Sequence, residues 1–205
     1  GTDTFWMYYP SLATNKDGVA VCGNMFGLTG TSGWAGVQFI AMKKAPMLTG
    51  SATAVTSLRD PGAGSAQVAR MADPNLNHIY GVALGSNAAR VYAIQNFQTT
   101  PTVTFQDAAI PGYVGPTRNA TSTAGRTLDS IDTRPFNCAY QGGKIVAVHN
   151  TDVSGSNNKL TPRWYQLNTN NWPTAGLPTL GMTGTIPGAG VDHWMPAIGI
   201  NSIGD

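Results

Sequence analysis

The sequence lacks glutamate entirely, and charged residues of either sign are scarce. All ten acidic residues are Asp, and charged residues make up 11% of the 205 residues, against roughly 25% in an average soluble domain. Glu and Lys usually cover the exposed face of a helix, so their scarcity argues against a mainly helical protein. The 25 Gly and 13 Pro instead indicate a β protein with many turns.

A concentrated patch of positive charge is also missing. The formal net charge is +2, and the Lys and Arg residues are scattered along the chain, so no nucleic-acid partner is expected. Long apolar runs are absent as well. The stretch 36–42, "GVQFIAM", is far shorter than the roughly 20 residues that span a bilayer as a helix, so no membrane span is expected.

Internal similarity organises the sequence. "RVYAIQN" at 90–96 and "KIVAVHN" at 144–150 share a base, a branched aliphatic residue, an Ala and a closing Asn, and "GVAVCGN" at 18–24 follows the same frame. The steps between the copies are unequal, which suggests a repeated supersecondary unit with loops of different length. We therefore expect Val91, Ala93, Ala147 and Val148 to be buried in strands.

Each copy lies among other candidate strands. Alternating apolar residues, β-branched and aromatic residues, and turns with Gly or Asn favour antiparallel meanders with almost no helix. The meanders occupy the approximate ranges 5–60, 65–115 and 128–188. Meanders of about 40 to 60 residues repeated three times are typical of β-propeller blades, although sandwiches also give evenly spaced strands. One region of propeller-like blades is the favoured interpretation.

The two ends of the chain match each other. "YPSLATNKDG" at 9–18 resembles "MPAIGINSIG" at 195–204, which makes 192–205 the start of a further blade. A propeller needs roughly four or more blades to close. We therefore expect part of a larger propeller, completed by further blades of the same protein or by another chain. The alternative is that 195–204 pairs with residues near 8–26 and closes a small ring.

These two segments, together with "RWYQL" at 163–167, resemble repeats of large secreted bacterial β-propellers that are loosely similar to the sialidase superfamily. The resemblance implies an extracellular or cell-surface location. A sialidase-type Asp-box reads Ser-x-Asp-x-Gly-x-Thr-Trp, and neither "TNKDGVAV" nor "TNNWPTAG" reproduces it. Sialidase-like sites also use a Tyr backed by a Glu, which this sequence cannot supply.

Candidate catalytic and metal residues have simpler interpretations. The pair Asp132 and Arg134 is typical of a salt bridge at a strand edge. The histidines stand alone, without the grouped ligands of a zinc site, so no catalytic residue, metal or cofactor is predicted. Cys22 and Cys138 occupy apolar strand positions and are expected to be buried and unpaired with one another.

Aromatic residues supply the weak ligand-binding candidates Trp172, Trp194 and Tyr165. Exposed rings would stack on a sugar or a peptide, whereas buried rings would fill the layers between sheets. Trp172 follows the loop "NTNN", where both alternatives are open, while for Trp164 a core position is favoured. Asn119 opens a short N-glycosylation sequon.

Two functions follow from these patterns. The first is a non-catalytic extracellular module for binding, with a carbohydrate or protein ligand, or for surface and structural assembly. The second is a portion of a sialidase-like glycoside hydrolase whose catalytic residues lie largely outside this chain. Fold alone does not separate them, because propellers host both.

Overall fold

A computed structural model of the chain describes residues 4–28, 33–152, 159–186 and 190–204. Strands account for 52% of these described residues and helix for 3%, and the helix seen in these ranges is the short α1 (Lys44–Leu48). The prediction of an all-β protein with almost no helix is confirmed. No helix in the described ranges has the length and apolar character needed to cross a bilayer.

The strands of the first half are β1 (Phe5–Thr14), β2 (Gly18–Gly27), β3 (Trp34–Lys43), β4 (Val55–Asp60), β5 (Ala66–Val68), β6 (Arg70–Met71), β7 (Ile79–Leu84) and β8 (Ala88–Gln95). Those of the second half are β9 (Thr102–Ala109), β10 (Ala120–Thr121), β11 (Thr127–Leu128), β12 (Asn137–Gln141), β13 (Lys144–Asp152), β14 (Leu160–Asn168) and β15 (Thr179–Thr185).

These strands form three main sheets. Sheet I has the order β1-β2-β3-β4, sheet II the order β5-β7-β8-β9, and sheet III the order β15-β14-β13-β12-β6, while β10 and β11 form a small hairpin. Nearly all neighbours are antiparallel, and the exception is β6, which runs parallel to β12. None of the three sheets closes on itself in the described ranges. Whether the three sheets are blades of one ring stays a prediction.

Sheet II lies between the other two sheets, and its inner strands β7 and β8 are buried on both faces, whereas its edge strand β9 is mostly exposed. Every residue of β7, "IYGVAL", is buried, as expected for a near-continuous apolar run in a strand covered on both sides. Tyr80 and Val82 pack in a core cluster with residues of sheet III, whereas Ile79 and Tyr92 pack in a second cluster with residues of sheet I. Alternate side chains of one strand therefore serve two cores.

Aromatic rings mark both interfaces. Phe39 of sheet I lies with its ring centroid 4.7 Å from that of Tyr92 in sheet II. On the opposite face of sheet II, the Tyr80 ring lies 4.8 Å from the ring of Tyr140 in sheet III. Such pairs add roughly 0.5–1.5 kcal/mol beyond the burial of their area, so they help to fix how the sheets pack.

The segment 66–71 connects the sheets directly. Its first part, β5, pairs antiparallel with β7, and its second part, β6, pairs parallel with β12. The two cysteines contact β5 from the flanking sheets: the Cys22 Sγ donates to the Ala66 carbonyl at 3.6 Å and the Cys138 Sγ to the Gln67 carbonyl at 3.3 Å. Both are buried and free, so the prediction of unpaired core cysteines is confirmed.

The similar segments 90–96 and 144–150 lie in β8 and β13, except that Asn96 follows β8. Each of these strands has an antiparallel neighbour on both sides. Val91, Ala93, Ala147 and Val148 are all buried, so the burial predicted for these four residues is confirmed.

The segment 195–204 pairs with no strand in the described ranges, and whether it begins a further blade stays a prediction. It lies along sheet III, where the Asn137 side chain accepts from the Ile198 N–H at 2.9 Å and donates to the Ile198 carbonyl at 2.8 Å. The Asn150 side chain accepts from the Met195 N–H at 3.1 Å. Side-chain amides thus hold the segment in place of a backbone ladder, and no pairing with 8–26 is formed.

His149 is a buried polar residue of sheet III with both ring nitrogens satisfied. Nδ1 lies 3.0 Å from the Thr133 carbonyl, which can only accept, so Nδ1 carries the proton. Nε2, 3.2 Å from the Tyr165 hydroxyl, then accepts. Burial is the main cause that lowers the pKa of His149 from 6.5 to about 4, and the nearby Arg163 guanidinium acts in the same direction.

This lowered pKa predicts a loss of stability in acid. The unfolded chain takes up the His149 proton near pH 6.5 and the folded chain only near pH 4, so the free energy of unfolding should fall between these values by about 3 kcal/mol. His149→Gln should remove this contribution to the pH dependence of the unfolding free energy, measured by urea denaturation. A smaller pH dependence should remain, because burial also lowers the pKa of His78. His193→Gln, at an exposed position, is the control. Equal slopes for all three proteins between pH 7 and 4 would contradict the assignment.

Candidate functional site

Two adjoining cavities form a groove where sheets II and III meet the turn between β1 and β2. One cavity has a volume of about 670 Å³ and the other of about 400 Å³. Leu76, His78 and Thr174 line both, so the cavities adjoin each other. We call this groove the amide groove.

The amide groove is named for the side chains that dominate its lining. Its six side-chain amides are Asn75, Asn77, Gln95, Asn96, Gln98 and Asn171. Its other lining residues are Lys16, Asp17, Leu76, His78, Tyr80, Phe97, Thr99, Tyr140, Thr169, Thr174 and Ala175.

Asn15 fixes one edge of the groove. Its side-chain oxygen accepts from the N–H groups of Asp17 at 3.0 Å and Gly18 at 2.7 Å, which closes the tight turn between β1 and β2. Its side-chain nitrogen donates to the Leu76 carbonyl at 2.9 Å. The backbone N–H of Lys16 also donates to the Pro74 carbonyl at 2.8 Å. The turn of sheet I is thereby tied to the loop that enters sheet II.

A cluster of four rings supports the other end of the groove. Tyr80 lies at its centre, with ring centroids 4.6 Å from His78, 4.8 Å from Tyr140 and 6.3 Å from Trp172. The Tyr80 hydroxyl donates to the Trp172 carbonyl, and the Tyr140 hydroxyl accepts from the Gly143 N–H at 3.0 Å. The cluster joins β7, β12 and the loop after β14, so three separate segments hold the groove wall.

The electrostatics of the groove are close to neutral. Burial lowers the pKa of His78, which favours the uncharged imidazole, and burial raises the pKa of Tyr80 to about 12. Lys16 and Asp17 are the charged residues of the lining, and their charged atoms lie 3.8 Å apart. A ligand with a strong net charge would find no matching counter-charge here.

Several amides remain available to a ligand. Gln98 donates to Asp17 at 2.8 Å and Asn96 to Thr102 at 2.9 Å, which leaves their carbonyl oxygens as acceptors. Asn77 and Asn171 are exposed. An amide has two donor hydrogens and an acceptor oxygen, so the groove can match hydroxyl or amide groups in either role. His78 Nε2 lies buried in the wall without a hydrogen-bond partner.

The three aromatic residues singled out from the sequence lie apart. Trp172 is 6% exposed and packs beneath the groove against Tyr80. Tyr165 is 0% exposed and lies beside His149 in the interior of sheet III. Trp194 is half-buried in the segment that crosses sheet III. The structure does not bring them into one site, and a ligand role for each stays a prediction.

The groove residues were not among those candidates, although the sequence carried a signal. Three loops combine amides with rings: "PNLNHIY" at 74–80, "IQNFQTT" at 94–100 and "NTNNWPT" at 168–174. Each loop alone reads as an ordinary polar connection. Only the packing of sheet II against sheet III brings them together.

No family model, curated protein or solved structure matches the chain. Within the described ranges, no group of three or more His, Cys or Asp side chains could hold a metal ion.

The position of Trp172 predicts a structural effect of its removal. Trp172→Ala should lower the free energy of unfolding by about 3–5 kcal/mol, because it leaves a cavity beneath Tyr80. Trp194→Ala, at a half-buried position, should cost less than about 2 kcal/mol. Urea unfolding of both variants measures the difference. Equal losses would show that Trp172 does not hold the groove wall.

Proposed function

We propose that this chain is a non-catalytic binding module of β-propeller build, located outside the cell or at its surface, whose amide groove binds a carbohydrate chain. The observation that carries the proposal is the groove itself: six residues with side-chain amides, from separate loops, line two adjoining cavities. Neutral donors and acceptors at this density suit a ligand rich in hydroxyl groups.

The propeller part of the proposal draws on the arrangement of the sheets. Apart from β6, the strands of sheets I, II and III follow one another in the chain, and each sheet packs against the next. Radially packed antiparallel sheets of about four strands are the units of a propeller. Further blades from the same protein, or another chain, would complete the ring.

A carbohydrate fits the groove better than a protein does. A stable protein interface buries about 800 Å² on each partner around an apolar centre. The exposed lining here is instead mostly polar, with amide and hydroxyl side chains beside Lys16 and Ala175, and the rings of Tyr80 and Tyr140 are buried. A sugar chain needs many neutral hydrogen bonds and little apolar area.

Two exposed amides give a direct test. Neutral polysaccharides of several linkage types would be immobilised, and retention of the wild-type protein compared with that of the double variant Asn77→Ala/Asn171→Ala. Each lost hydrogen bond is worth about 0.5–1.5 kcal/mol, so retention on the bound polysaccharide should weaken by roughly tenfold. Asn87→Ala changes an exposed amide outside the groove lining and should leave retention unchanged.

The same experiment separates the alternatives. Unchanged retention in the double variant, or retention on none of the polysaccharides, would contradict carbohydrate binding in the groove. Release of reducing sugar from the immobilised material by the wild-type protein would contradict the non-catalytic part. That result would favour the sialidase-like hydrolase instead.

A further inference from the structure

We propose a second binding site, separate from the amide groove, that takes a neutral sugar unit in a cavity beside Arg163. The cavity has a volume of about 490 Å³, which is within the usual range for small-ligand sites. It lies where β13 ends and β14 begins, at the opposite end of sheet III from the amide groove. Neither Arg163 nor its neighbours in this cavity line the groove.

Two buried polar atoms in the lining have no partner. Asp152 is 7% exposed, and its Oδ1 has no hydrogen-bond donor. Arg163 Nε is likewise buried without an acceptor. A buried orphan atom in a native fold needs an explanation, and here the two residues that carry a pure acceptor and a pure donor line the same cavity.

Both side chains are held in place by their other polar atoms. Arg163 Nη1 donates to the Gly112 carbonyl at 3.0 Å, and the guanidinium lies 5.5 Å from the centroid of the Tyr165 ring. The Asp152 Oδ2 accepts from the Thr117 hydroxyl at 2.5 Å. Groups fixed before the ligand arrives lose little freedom on binding.

The charges of the lining define the class of ligand. A carboxylate attracted by Arg163 would meet the Asp152 carboxylate, and an ammonium attracted by Asp152 would meet the Arg163 guanidinium. A hydroxyl group both donates and accepts, so a neutral ligand rich in hydroxyl groups suits a lining that contains both charges.

The rest of the lining favours the same ligand. The hydroxyls of Thr151 and Thr161 donate to the carbonyls of Thr161 and Ile186, which leaves their lone pairs as acceptors for sugar hydroxyls. Tyr113 is half-buried in the cavity wall and packs edge-on against His149. Its ring offers an apolar surface of the kind on which pyranose rings stack.

The test uses three matched probes in each of the gluco, galacto and manno series: the methyl pyranoside, the corresponding methyl uronide, and the corresponding 2-amino sugar. Each is titrated into the wild-type protein while the backbone amide signals of Tyr113 and Thr185 are followed by NMR. In at least one series the neutral probe should shift these signals saturably, and both charged probes should bind at least fivefold more weakly. Arg163→Gln should weaken the neutral probe by at least tenfold.

Two further variants distinguish binding in this cavity from a folding defect and from binding in the amide groove. Asp152→Asn, which preserves shape, should reduce the discrimination against the uronide. The groove variant Asn77→Ala/Asn171→Ala should leave the titration unchanged. The proposal for this cavity and the proposal for the amide groove are therefore tested independently of each other. The inference is overturned if no neutral probe shifts the signals, in which case the orphan atoms bind water alone, or if a charged probe binds tightest.

Discussion

The burial of both faces of strands β7 and β8 in sheet II is the constraint on which the rest of the structure depends. Its strand β7 is buried at every position, with Tyr80 facing sheet III and Ile79 facing sheet I. Most sheets of an antiparallel protein leave one face to water. Inner strands without a solvent-exposed face oblige both neighbouring sheets to present apolar faces of their own, so β7 and β8 determine how sheets I and III pack.

Both candidate sites follow from that packing. The amide groove exists because the loop before β7 is tied to the β1–β2 turn by Asn15 and the loop after β14 to Tyr80 through Trp172. The cavity beside Arg163 lies at the other end of sheet III, where the guanidinium is oriented by Gly112 in the loop that follows sheet II. Loops from different sheets meet at both ends, which is where propeller-like and sandwich folds generally place their binding residues.

Short-range patterns in the sequence predict the strands and several of the buried positions. Alternation and β-branched residues identify the strands, and the apolar positions of Cys22 and Val148 identify core residues correctly. Contacts between distant residues are beyond such patterns. The burial of Trp172 depends on Tyr80, which is 92 residues away in the chain. The similarity of 195–204 to 9–18 is likewise a match of side chains, and a strand also requires a neighbouring strand to pair with.

Native-state hydrogen exchange tests the central role of sheet II most directly. If two-sided burial of sheet II holds the three sheets together, the amides of β7 and β8 should exchange only through global unfolding. Their free energies of exchange should then equal the unfolding free energy from urea denaturation and exceed those of the outer strands β4 and β15. Exchange of β7 at a lower free energy than β4 or β15 would contradict this account, because sheet II would then open while its neighbours stayed folded.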